Sequence, residues 1–137
     1  MVKIIAGLKG SGKTKRLISL IEQTSKETAG NIVCIEKNTA LRFDIPHSVR
    51  LVTTADYDFG SYSYLKGFIS GLHAGNYDIT HVFIDNLYKV LDGHTPEETE
   101  EFIIWCEKLG EKENITFTIS LSEDPETVPE SVKKFII

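Results

Sequence analysis

Apolar runs of strand length alternate along this chain with segments whose apolar residues recur at every third and fourth position. No other feature restricts the fold as much, because regular alternation of strands and helices leads to a parallel sheet covered by helices. Val2 to Ala6 is the first run, and Leu17, Leu20, Ile21 and Thr24 then share a helical face that ends near Gly30. Asn31 to Glu36 contains the unbroken stretch Ile32, Val33, Cys34 and Ile35, the pattern of a central strand buried on both faces. A polar segment from Asn38 to Ser48, containing Pro46, precedes a third strand at Val49 to Thr53.

Ser61 is placed to cap a helix on which Leu65, Phe68, Ile69 and Leu72 share one face, with Gly75 and Asn76 as its stop. His81 to Leu87 predicts the fourth strand. Thr95, Pro96 and Glu98 then form a capping box with proline at the first helical position. Phe102, Ile103, Cys106 and Leu109 are the buried stripe of that helix, which the pattern ends at Gly110. Ile115 to Leu121 predicts the fifth strand, and Phe135 to Ile137, after a turn from Pro129, a sixth at the sheet edge. The 137 residues suit one domain, 1–137, with a single core.

The net charge of -5 supplies no basic field for a phosphate backbone or an anionic membrane, which disfavours nucleic acid as a partner. No apolar run approaches a membrane span and Met1 leads directly into a strand, so a cytoplasmic chain with no membrane partner is expected. Two cysteines, Cys34 and Cys106, are too few for a disulfide scaffold or a four-cysteine zinc site, and both read as small core residues. His47, His73, His81 and His94 lack metal-ligand spacing and read as surface or core-edge residues.

Gly7-Leu8-Lys9-Gly10-Ser11-Gly12-Lys13-Thr14 fits the spacing G-x-x-x-x-G-K-[ST] of a Walker A loop, and it lies between an apolar strand and a helix as that loop must. A loop whose amides wrap around polyphosphate needs backbone angles that Gly7, Gly10 and Gly12 accept at little cost. The helix start adds free N–H groups and a positive dipole end, Lys13 is a point charge for the β- and γ-phosphates, and the Thr14 hydroxyl can ligate Mg²⁺. The expected ligands are a nucleoside triphosphate, by default ATP, and Mg²⁺. The alternative is a glycine-rich turn that binds nothing.

A carboxylate on a neighbouring strand should hold the Mg²⁺ shell opposite Thr14, and Val82-Phe83-Ile84-Asp85 supplies one in Asp85. The next residue is Asn86, which cannot act as a base. Glu36 ends the apolar second strand at the same sheet edge and is the remaining candidate for activating water, the alternative being a solvent-facing glutamate.

Together, the octet Gly7 to Thr14, the strand ending in Glu36, the strand at Leu51 to Thr53 with its helix, the Asp85 strand and a strand with Thr118, Ser120 and Ser122 resemble the RecA-like branch of the P-loop NTPases. That resemblance implies a three-layer α/β/α domain with a mostly parallel sheet in the order 3-2-4-5-1-6. It also implies catalytic roles for Glu36, Lys13 and Ser120, with Glu36 activating water and Ser120 sensing the γ-phosphate, and a magnesium role for Asp85. The chain is also similar to small bacterial ATP-binding proteins reduced to a P-loop core. Arg16, Arg42 and Arg50 are the candidates for an arginine finger, none with a motif around it, and a neighbouring subunit or a protein partner is the alternative source.

Three functions fit these residues. One is a slow ATPase or nucleotide switch in which Asn38 to Ser48 and Thr54 to Gly60 respond to the γ-phosphate. Another is a small-molecule or nucleoside kinase with Tyr57 to Tyr64 lining an acceptor pocket. The last is a regulatory module that holds nucleotide without hydrolysing it.

Overall fold

The computed structural model describes residues 1–57 and 59–137; Asp58, within the Thr54 to Gly60 and Tyr57 to Tyr64 segments, lies outside them. The strands β1 (Val2–Gly7), β2 (Asn31–Glu36), β3 (Val49–Thr53), β4 (Ile79–Ile84) and β5 (Thr116–Ser122) form one sheet in the order β1-β5-β4-β2-β3. Every pairing is parallel. The helices are α1 (Lys13–Glu27), α2 (Tyr62–Gly75), α3 (Leu87–Val90), α4 (Pro96–Glu113) and α5 (Glu130–Lys133).

Side chains of a strand alternate between its two faces, so a strand apolar throughout must be covered twice. In β2, Ile32 and Cys34 join Ile5, Phe83 and the α1 residues Leu17 and Ile21 in one buried cluster. Val33 and Ile35 face the other way, into a larger cluster with Leu65 and Ile69 of α2 and Phe102, Ile103 and Cys106 of α4. The result is a sheet between helical layers. Both cysteines are free and buried, as their apolar settings predicted.

The helix caps follow local chemistry. Ser61 accepts from the Tyr64 N–H at the start of α2, and Thr95 accepts from the Glu98 N–H at the start of α4, behind Pro96. The end of α4 differs from the expected stop at Gly110. The helix runs on to Glu113 and closes at Asn114, whose φ of 57° is left-handed. Gly110 is instead a packing residue: a Cβ there would lie 2.6 Å from the Ile115 carbonyl oxygen and 2.9 Å from the Met1 nitrogen.

The fourth strand is also shorter than its apolar pattern. It ends at Ile84, because Asn86 turns the chain at φ 56° and Leu87 to Val90 form a helical turn instead.

The six-stranded order 3-2-4-5-1-6 is corrected to five strands. At the place beside β1 where a sixth strand was expected, Ile4 and Ile136 make an isolated parallel bridge. The Ile4 N–H donates to the Phe135 carbonyl and the Ile137 N–H to the Ile4 carbonyl, at 2.8 and 2.9 Å. The turn that closes from the Ile136 N–H onto the Lys133 carbonyl leaves too few extended residues for a ladder. Among the described residues, no helix is long and apolar enough to cross a membrane.

Candidate functional site

Parallel strands bring their carboxyl ends to one sheet edge, and there β1, β5 and β4 meet. Gly7 at the end of β1 is in register with Ser122 of β5, and Ile84 of β4 with Ile119. Asp85 and Ser120, each one residue further on, are therefore neighbours across the β4–β5 pair.

The octet lies where the chain leaves β1 for α1. A Cβ on Gly7 would fall on the Ser11 hydroxyl, so a larger residue there would have to displace that side chain. Gly10 and Gly12 have φ of 86° and 85°, the left-handed region that disfavours side chains. A tight turn places the Ser11 N–H 3.1 Å from the Leu8 carbonyl. The Lys13 ammonium donates to that same carbonyl at 3.1 Å, and the lysine thus lies back over the loop.

Helix α1 starts differently from α4. Gly12 offers no side-chain cap and its first turn carries no acid, whereas α4 has a threonine cap and Glu97 and Glu98 in its first turn. Lys13, Lys15 and Arg16 instead stand at the positive end of the α1 dipole, an arrangement that repels itself unless an anion is present.

Opposite the loop, the Ser120 hydroxyl donates to Asp85 Oδ1 at 3.2 Å and accepts the Asn86 N–H at 2.7 Å. A fully buried serine thus fixes both the carboxylate and the turn that follows it. Burial pushes the Asp85 carboxyl above its ordinary value; the Ser120 hydrogen bond, the Lys89 charge, the Thr14 hydroxyl and the Lys13 charge oppose the shift, in that order. Gly10, Gly12, Lys13, Thr14, Asp85 and Ser120 together border a cavity of ≈ 410 Å³, with Lys9, Lys15 and Lys89 also on its walls. The structure therefore brings together the loop, Thr14, Asp85 and Ser120.

Glu36 is arranged differently. Its side chain is buried at the end of β2, its two oxygens accept the Ala40 and Leu41 N–H groups at 3.0 Å each, and it does not line the cavity. Burial pushes its carboxyl up, against the lowering effect of those two hydrogen bonds and with a smaller raising effect from Asp85. In this state it anchors the start of the 37–48 segment. Tyr57 and Tyr64 pack with Phe59 and Phe68 in an aromatic cluster, and the cavities at the loop are lined by other residues.

A second cavity, of ≈ 740 Å³, adjoins the first and shares Lys9, Asn86, Lys89 and Ser122 with it. Tyr88 and His94 stack on its wall with ring centroids 3.7 Å apart and planes 6° from parallel. Reading the sequence alone missed this site. Tyr88, His94 and Glu123 come from separate segments, and no local spacing announces them.

Thr14 and Asp85 offer hard oxygen donors on the wall of the loop cavity, a pair that could hold Mg²⁺ only with further oxygen ligands. Among the described residues, no group of three or more His, Cys, Asp and Glu could hold a metal ion without such help. No family model and no curated protein matches the chain.

Proposed function

We propose that the chain binds MgATP through Gly7 to Thr14 and works as a slow ATPase or nucleotide-dependent switch. The observation that carries the reading is the start of α1: uncapped, without acids, and crowded with Lys13, Lys15 and Arg16 beyond two left-handed glycines. An anion stabilises such an end, and a polyphosphate supplies one. In this reading the loop amides hold the phosphates and Lys13 leaves the Leu8 carbonyl for the β- and γ-oxygens. Thr14 and Asp85 would hold the Mg²⁺, which supplies charge neutralisation at the phosphates.

We assign Ser120 to holding Asp85, because its hydroxyl is committed to that carboxylate and to the Asn86 N–H. Glu36 is the proposed water-activating base. Its engagement by Ala40 and Leu41 supports slow turnover, since the 37–48 segment must release the carboxylate before it can act. Regulatory nucleotide holding, without hydrolysis, is the reading left if that release never occurs.

The test is nucleotide binding by calorimetry and steady-state phosphate release at saturating MgATP, across protein concentrations, with Lys13→Ala as the control. Binding and turnover lost together in Lys13→Ala are expected. Equal binding in the variant would remove the octet from the function. A rate per chain that rises with concentration would place part of the site on a second copy.

A further inference from the structure

The ≈ 740 Å³ cavity joins the loop cavity at Lys9, Asn86, Lys89 and Ser122, and Lys13, Thr14, Lys15 and Asp85 line only the smaller one. If Thr14 and Asp85 hold Mg²⁺ at the phosphates, as proposed above, the residues just past Asp85 would stand near the terminal phosphate. Asn86 and Lys89 occupy that place and form the partition between the two cavities. In that reading the larger space adjoins the end of the phosphate chain. Its volume is in the range of small-molecule sites.

Its walls are polarised. Lys9 and Lys89 stand at the phosphate end, while the parallel Tyr88–His94 pair and Glu123 stand further in. Glu123 accepts the Tyr88 hydroxyl at 2.5 Å and the Thr127 hydroxyl at 3.0 Å, one on each oxygen. Two of a carboxylate's roughly four acceptor directions are then in use, and the rest remain for a ligand's N–H or O–H groups. Burial and the bond to Glu123 push the Tyr88 phenol well up, so it stays a donor that orients the carboxylate. At the partition, the buried Asn86 Oδ1 has no hydrogen-bond partner among the described residues, although every such acceptor wants one.

We propose that this cavity binds a nucleoside, its base stacked on the Tyr88–His94 pair and its donors on Glu123, beside the γ-phosphate of MgATP. A flat, uncharged, donor-rich ring system matches an aromatic plate followed by a carboxylate. The two lysines are left for the neighbouring triphosphate, which argues against a second anionic ligand. The placement beside the γ-phosphate rests on the ATP reading above; the pocket does not.

The test is a titration of the full chain with adenosine, inosine, cytidine and thymidine, followed by two-dimensional amide NMR. The expected result is that at least one nucleoside shifts the Lys89, His94 and Thr127 amides. His94→Ala, at an exposed loop position, should weaken that binding about tenfold with the melting temperature preserved, and Glu123→Gln should weaken it by a similar factor. Lys13→Ala should keep nucleoside binding while losing ATP, so the two readings fail separately. Three results would overturn the proposal: no shift with any of the four, shifts confined to the Gly10 to Gly12 amides, or unchanged affinity in both pocket variants. Binding of a nucleoside monophosphate in this cavity without its parent nucleoside would overturn it as well.

Discussion

Ser120 and Glu36 show how a polar side chain in the core is constrained by what it satisfies. Ser120→Ala removes the partner of both Asp85 Oδ1 and the Asn86 N–H, and two polar groups lose a buried hydrogen bond. Denaturant unfolding of this variant should show a loss of about 1–3 kcal/mol, with weaker Mg²⁺-dependent nucleotide binding. Glu36→Gln leaves one oxygen for two backbone donors, Ala40 and Leu41. Its stability should fall by a similar amount, about 1–3 kcal/mol. Phosphate release should vanish while MgATP still binds, and turnover equal to wild type would remove Glu36 from the chemistry. Serine and glutamate were both legible as strand-end candidates, but their hydrogen-bond partners were not. Those partners come from segments that only the folded chain brings near.

At the scale of elements, α1 and α4 start under opposite electrostatics. Thr95, Pro96, Glu97 and Glu98 complete the start of α4 from within the chain. The start of α1 has an uncapped glycine, three cations and no acid, so an anion bound there stabilises it. Lys15→Glu should therefore stabilise the free protein by about 0.3–1 kcal/mol through the helix dipole. The same substitution should weaken ATP binding by calorimetry, because a carboxylate would then compete with the phosphates. A variant that gained affinity for ATP would contradict the proposed anion site. The elements were largely readable from periodicity, since α1, α2, α4 and the strands follow their apolar spacing. The misread boundaries are at Ile84, Glu113 and Ile136. At the first two, asparagines in left-handed conformations decided the end, and at the third a turn left too little chain for a strand.

At the scale of the whole molecule, His81 is half-buried near the start of β4, away from the strand ends that carry the site. Burial, and then the Lys3 charge, hold the His81 imidazole below its ordinary value of 6.5. The unfolded chain therefore binds that proton more readily than the folded one. The stabilisation from a neutral His81 is complete above the ordinary value and is lost as pH falls through the folded value. Melting temperatures between neutral and mildly acidic pH should decline less in His81→Gln than in the wild type. Parallel profiles would mean that His81 does not couple folding to protons.

Local spacing determined most of the architecture, because helix and strand periods, caps and the glycine octet are all short-range features of the chain. It marked the loop from Gly7 to Thr14 and the apolar run that leads into Asp85, since each depends on residues a few positions apart. Only the tertiary structure decided that Ser120 holds Asp85, that Glu36 is tied to Ala40 and Leu41, and that Tyr88, His94 and Glu123 share a cavity. The physical reason is the parallel sheet itself: it sets strand ends that are distant in sequence side by side, and no local pattern records which side chains then meet.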